Sequence, residues 1–244
     1  MSSFSTLKFK AEGGIETVTL DRPDARNALN LPMCEELLAV SAFLKSDPSS
    51  RIAFVRGAGP AFCAGADTKE RADKDAAWVR ERRMKAFAAY QALEALPIPV
   101  IAVVEGAAMG AGVEICTICD FVVATPEAFF GTPEAQRGTI GATQRLPRII
   151  GRPLAKDMMY TGRRLTAEEA RAAGLVTRLV AKDRLEDELA ALARSILQAP
   201  AGALRLAKRC IDRGTDTDRK GALAAEIAAI DEQLATGTWL GKKP

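Results

Sequence analysis

A chain of 244 residues, 48% hydrophobic and 27% charged, has room for one large core or two modest ones and excludes a disordered or fibrous protein. With 34 Lys and Arg against 31 Asp and Glu, the net charge of +3 creates no demand for nucleic acid or a membrane surface as partner, and it does not repel an anionic substrate. No apolar stretch reaches the ~20 residues of a membrane-spanning helix, and the opening MSSFSTLKFK has neither a secretory apolar region nor an Arg-rich presequence character.

In chain order, the first element is the extended run GIETVTL, where Val18 and Leu20 alternate with Thr17 and Thr19 before Pro23 stops it. ALNLPMCEELLAVSAFLK then shows a helical apolar period through Leu37, Leu38, Phe43 and Leu44, ended by Asp47-Pro48. Three short apolar runs, at residues 52–57, 99–106 and 120–125, read as buried strands with helical segments between them. This alternation predicts an α/β core with crossover connections. Beyond Gln144 the pattern becomes mostly helical. Thr166 and Glu169 form a capping box, with Gly174 placed to follow the end of that helix. Asp183 is placed to cap a helix whose apolar face is Leu185, Leu189, Leu192 and Ile196. Pro200 opens another helix that Gly214 closes, and a last amphipathic helix covers residues 220–234. One α/β domain over residues 1–195 with a helical carboxy-terminal region over 196–244 accounts for the pattern.

The five cysteines, Cys34, Cys63, Cys116, Cys119 and Cys210, are odd in number and irregular in spacing, which points to a reducing cytoplasm rather than a disulfide framework. Cys116 and Cys119 form a C-x-x-C within the apolar run ICTIC. No second pair and no histidine completes a zinc tetrahedron, so buried small hydrophobes are expected there and no metal site.

Two glycine-rich turns, RGAGPAFCAGAD (56–67) and EGAAMGAGVE (105–114), place small residues where a strand is expected to hand over to a helix. Two main-chain N–H groups aimed from such turns at one point make an oxyanion hole. Neither turn has the spacing of a nucleotide-binding loop. With no histidine in the chain, carboxylates are the natural groups for acid–base work near neutral pH. Glu114, inside VEICTIC, and Glu134, in AFFGTPEA, have the apolar neighbours that raise a carboxyl pKa.

The motifs LDRPDARNALN (20–30), GAGPAFCAGADTKE (57–70), PVIAVVEGAAMGAGVEICTICD (99–120), FGTPE (130–134) and TQRLPRIIGRPLAKDMMYTGRRLTAEEARAAGLVTRLV (143–180) occur in the order in which they occur in the enoyl-CoA hydratase/isomerase, or crotonase, superfamily, which the chain resembles over nearly its whole length. The resemblance implies a spiral of ββα units, then a helical trimerisation region, and a homotrimer or dimer of trimers. It implies an oxyanion hole at the N–H groups of Ala66 and Ala111, the latter standing where relatives often have glycine, and catalytic carboxylates at Glu114 and Glu134. It implies CoA contacts from Ala25, Arg26, Ala64, Ala66, Asp67 and Thr68, with Lys69 near the phosphates. No cofactor is implied, since CoA belongs to the substrate. Retention of both carboxylates favours hydration of a 2-enoyl-CoA to a 3-hydroxyacyl-CoA, with Glu114 activating water and Glu134 protonating C2. The same oxyanion hole also serves double-bond isomerisation, dehydration and other acyl-CoA conversions.

Compared with the superfamily, the stretch at 135–142 after Glu134 is short, and IDEQLATGTWLGKKP ends where many relatives continue into another helix. RADKDAAWVRERRMKAF (71–87) lies where relatives build the acyl pocket. Trp78, Arg80, Arg82 and Arg83 there read as part of a solvated amphipathic helix, the alternative being contact with an aromatic or carboxylated acyl group. Some superfamily members bind RNA. The cations Arg205, Lys208, Arg209 and Arg213 lack an accompanying set of stacking aromatics, so a wet helix face is expected and no nucleic-acid partner.

Overall fold

The computed structural model of the protein describes residues 4–236 and 239, so residues 237–238 and 240–244 of the carboxy-terminal segment lie outside the described residues. The chain runs β1 (Leu7–Glu12), β2 (Ile15–Leu20), α1 (Leu31–Ser46), β3 (Ile52–Gly57), β4 (Ala61–Cys63), α2 (Ala76–Glu94), β5 (Val100–Val104), β6 (Ala107–Met109), α3 (Ala111–Ile118), β7 (Phe121–Ala124) and β8 (Phe129–Gly131). It continues through α4 (Leu146–Ile150), α5 (Arg152–Thr161), β9 (Arg164–Thr166), α6 (Ala167–Ala172), β10 (Arg178–Leu179), α7 (Leu185–Gln198), α8 (Ala201–Thr215) and α9 (Arg219–Thr236).

The strands form two sheets. The larger has the order β1-β2-β3-β5-β7-β10, parallel except where β1 runs against β2. The smaller has the order β4-β6-β8-β9, its first three strands parallel and β9 antiparallel. The apolar runs of β3, β5 and β7 lack alternation because both faces of the large sheet are covered. Ala53, Val55, Val100, Ala102, Val104, Val122 and Ala124 join the main core with α1, α2 and α3. Ile52, Phe54, Ile101, Val103 and Val123 form a second core beneath Leu185, Leu189, Leu192 and Ala193 of α7. Each of those three buried leucines contributes roughly 2 kcal/mol to holding α7 on the sheet.

Several ends form as the sequence dictates. Asn30 caps α1 by accepting the Met33 N–H at 3.1 Å, and the helix stops before Asp47-Pro48. Thr166 and Glu169 make both bonds of the capping box of α6. Two expectations need correction. Asp183 does not cap α7, because a 3-10 turn over Lys182–Arg184 leads straight into the helix and leaves Arg184 at its start. Gly214 does not close α8, which continues to Thr215.

Cys116 and Cys119 are buried free thiols, pushed up in pKa by burial and therefore held as neutral small hydrophobes. On α8, Arg205 and Arg209 both bond Glu232 of α9, and Lys208 pairs with Asp120, so these cations fasten α8 to its neighbours. Leu223, Ile227, Ile230 and Leu234 of α9 are exposed. Among the described residues no helix is long and apolar enough to cross a membrane.

Candidate active site

The parallel strands β4, β6 and β8 end side by side. Ala61 and Cys63 lie beside Ala107 and Ala108, and Met109 lies beside Gly131. The segments that leave their carboxy-terminal ends are therefore neighbours: the 64–68 turn after β4, Gly110 and α3 after β6, and 132–134 after β8. This register brings together Ala66, Ala111, Glu114 and Glu134, far apart in the chain, as walls of one cleft of about 920 Å³ including its open mouth.

The turn bearing Ala66 is held from behind by Leu29. The Leu29 N–H donates to the Gly65 carbonyl and the Leu29 carbonyl accepts from the Asp67 N–H, each at 2.8 Å, and this leaves the Ala66 N–H between them pointing away from the ladder. Two cations brace the arrangement. Buried Arg82 donates to the Leu29 carbonyl and, through Nε, to Glu70 Oε1 at 2.6 Å. Glu70 Oε2 in turn accepts the Leu31 N–H at 2.8 Å at the start of α1. Arg22 pairs with Asp67 Oδ2 at 2.9 Å while Asp67 Oδ1 accepts the Lys69 N–H. Burial raises the Asp67 pKa, but Arg22 and that N–H together bring it below its ordinary value, so the loop is fixed by an ionised side chain. The expected hand-over from strand to helix is not what frees this N–H: a 3-10 turn, Lys69–Arg71, follows, and α2 begins only at Ala76.

The second turn does run into a helix. Gly110 donates to the Gly131 carbonyl at 2.8 Å, and α3 starts at Ala111, whose N–H has no carbonyl one turn earlier to reach. Among the described residues the N–H groups of Ala66 and Ala111 have no hydrogen-bond acceptor. α3 can sit this close to β4 because Gly112 lacks a side chain: a Cβ there would come 2.5 Å from the Cys63 carbonyl oxygen.

The two carboxyls have unlike surroundings. Glu114, one turn into α3 and buried, accepts the Ala142 N–H at Oε1 over 2.6 Å and has Arg145 Nη1 at 3.9 Å from Oε2. Burial raises its pKa, with Ala142 and Arg145 pulling the other way. Arg145 is itself held by both oxygens of Glu94. Burial raises the pKa of Glu134 and its own main-chain N–H opposes that; the nearby charge of Glu114 raises it further, with Arg137 and Arg83 opposing. Its Oε2 is buried with no hydrogen-bond partner among the described residues. An unpartnered buried oxygen disfavours the charged form, whereas Glu114 is set up to accept hydrogen bonds as a carboxylate.

Of the residues assigned to CoA by resemblance, Ala64, Ala66, Asp67 and Thr68 line the cleft; Ala25, Arg26 and Lys69 do not. Arg26 stays beside the turn, its carbonyl accepting the Ala64 N–H at 2.9 Å. The reading of the 71–87 segment as a solvated face fails for Arg82, which is 8% exposed and committed to Glu70 and Leu29. Its partner lies twelve residues away, so no helical spacing in the sequence betrays the pair. Arg145 and Ala142, which fix Glu114, were likewise given no role by the sequence, although Arg145 lies within the TQRLPR motif.

Residues 10–237 match the family model described as enoyl-CoA hydratase/isomerase. The chain is 40% identical over 231 residues to the human mitochondrial enoyl-CoA hydratase domain-containing protein 2, covering 91% of this chain and 79% of that protein. Among solved structures, it is similar to an enoyl-CoA hydratase from Bacillus anthracis, with a TM-score of 0.90, 36% identity, and 93% and 90% of the two chains covered. It is also similar to one from Mycobacterium smegmatis, with a TM-score of 0.91, 32% identity and 98% of each chain covered.

Proposed function

The chain belongs to the enoyl-CoA hydratase/isomerase family, and from that premise we propose that it is an enoyl-CoA hydratase, adding water to a 2-enoyl-CoA to give a 3-hydroxyacyl-CoA. The observation that carries this reading is the presence of two carboxyls of unlike character in the same cleft as two main-chain N–H groups without acceptors. The N–H groups of Ala66 and Ala111 bind the thioester oxygen and stabilise the negative charge that grows on it, each supplying about 3 kcal/mol in the transition state. Glu114, with the Ala142 N–H and Arg145 beside it to support negative charge, takes a proton from water as the water oxygen bonds to C3. Glu134, whose buried Oε2 has no hydrogen-bond partner among the described residues, delivers a proton to C2 of the enolate. The pair ends with its proton moved from one member to the other, and exchange with solvent resets it. Burial raises the pKa of both carboxyls toward the range useful for acid–base work, and their different hydrogen-bond partners support the division into base and acid.

In this reading CoA enters as part of the substrate along the 64–68 turn, and no separate cofactor takes part. The exposed apolar residues of α9 support assembly as a homotrimer or dimer of trimers, and the five free cysteines support a cytoplasmic setting. A panel of 2-enoyl-CoA thioesters, starting with crotonyl-CoA, tests the reading through loss of the conjugated thioester absorbance. Hydration is expected. Migration of the double bond without loss to a 3-hydroxyacyl product makes the chain an isomerase instead.

A further inference from the structure

Besides Arg71, which follows the 64–68 turn, the cleft holds two cations that the chemistry above leaves unused. Arg83 lies on the stripe of α2 formed by Val79, Arg83 and Phe87, spaced four residues apart so that they share one face. All three line the cleft with Ile140. Arg83 is half-buried; Arg137, which is exposed, lines the cleft from the end of a 3-10 turn, Ala135–Arg137, that follows Glu134 directly. Arg83 donates to Thr139 Oγ1, which ties α2 to this loop, and among the described residues neither guanidinium forms an ion pair. Arg82, one residue away, contrasts with them because Glu70 and Leu29 satisfy it. A second void opens from the cleft past Val79, Arg83, Phe87, Glu114 and Ile140 toward Met84 and Ala142, so a chain extended beyond the two glutamates passes Arg83.

A saturated alkyl tail has no use for a half-buried cation within an apolar stripe, and desolvating that cation costs free energy unless an anion meets it. We propose that Arg83 and Arg137 receive a carboxylate at the far end of the acyl group, making thioesters of unsaturated dicarboxylic acids the preferred substrate class. Guanidinium forks suit a planar carboxylate and give it direction as well as charge. Arg137 and Arg83 both oppose the raised pKa of Glu134, and both line the same cleft as that carboxyl. The proposal rests on the acyl-CoA reading above but not on the direction of the reaction.

The test is therefore a binding measurement on thioesters that cannot be hydrated. Isothermal titration compares two saturated acyl-CoA thioesters of equal length, one ending in methyl and one in carboxylate, with free CoA as a third arm. The wild-type protein is expected to bind the carboxylate-ended thioester about tenfold or more tightly than its methyl-ended counterpart. Arg83→Met and Arg137→Met should each shrink that ratio several-fold, and Arg83→Lys should keep part of it, which separates lost charge from damaged packing. A wild-type ratio near one overturns the proposal. So does equal weakening of both thioesters and of free CoA in the Met variants, since the arginines would then be reading the CoA phosphates. If nothing carrying CoA binds, the acyl-CoA reading itself falls.

Discussion

The carboxyl of Glu134 rests against the bare α-carbon of Gly110: a Cβ built on Gly110 would come 2.3 Å from Glu134 Oε1. Gly110 also has φ +51°, which side-chain-bearing residues rarely adopt, and it bonds the Gly131 carbonyl while passing the chain into α3. Gly110→Ala therefore displaces the acid rather than the core. The obstructing atom is the free end of a side chain, so the fold loses only the backbone strain, about 1–3 kcal/mol. Activity should fall by about a hundredfold or more, the scale of a lost general acid. Equilibrium urea unfolding set beside steady-state kinetics checks this. Full activity in a variant that has lost stability would mean that the position of Glu134 does not matter.

Glu114→Gln and Glu134→Gln should each lower kcat by roughly two to four orders of magnitude. Each amide keeps the shape of the side chain, so affinity for a saturated acyl-CoA should change little. Kinetics and titration on the same preparations separate the two effects. Normal turnover by either variant removes that residue from the mechanism.

Arg82 and Glu70 hold the turn that presents the Ala66 N–H, through the Leu29 carbonyl and the Leu31 N–H. Arg82→Met leaves Glu70 unmatched in a largely buried setting and should cost about 3 kcal/mol of stability, read by urea unfolding. In the protein that remains folded, kcat should fall more than KM rises, because a loosened donor weakens the charged transition state more than the neutral thioester. A rise in KM alone would place the network in substrate binding rather than in positioning that donor.

A pH series on the Glu134→Gln protein examines the raised pKa directly. The folded protein keeps the Glu134 proton to higher pH than the unfolded chain does, chiefly because of burial. Between the ordinary glutamate pKa and the raised one the folded state thus binds more protons, and stability declines as pH rises through that window. The Glu134→Gln protein lacks this decline. Its stability relative to wild type should therefore be greater at neutral pH than below the ordinary glutamate pKa, measured by denaturant midpoints. An offset independent of pH would show that Glu134 has no raised pKa in the folded state.

The centre of the large sheet was legible in the sequence because Ile52, Ala53, Phe54 and Val55 and the apolar residues of β5 and β7 are buried on both faces and stand out as continuous runs, whereas its edge strands, the mostly exposed β1 and the two-residue β10, gave no such signal. The smaller sheet was not. β4, β6, β8 and β9 are three residues each, too short to show a period of two, and their sequences AFC, AAM, FFG and RLT look like parts of turns. Yet that sheet assembles the cleft. Glu114 and Glu134 were identifiable by their apolar neighbours, but only the pairing of β6 with β8 brings them to one place. Arg82 was read as a surface cation because its partners, Leu29 and Glu70, come from distant chain segments joined by tertiary packing.

The most direct test of the hydratase reading is to convert a 2-enoyl-CoA in water enriched in the heavy oxygen isotope and analyse the product by mass. The account predicts a 3-hydroxyacyl-CoA carrying one heavy oxygen at C3, formed by wild type and nearly absent with Glu114→Gln. A 3-enoyl-CoA without label, or labelled product formed at the wild-type rate by Glu114→Gln, would contradict it.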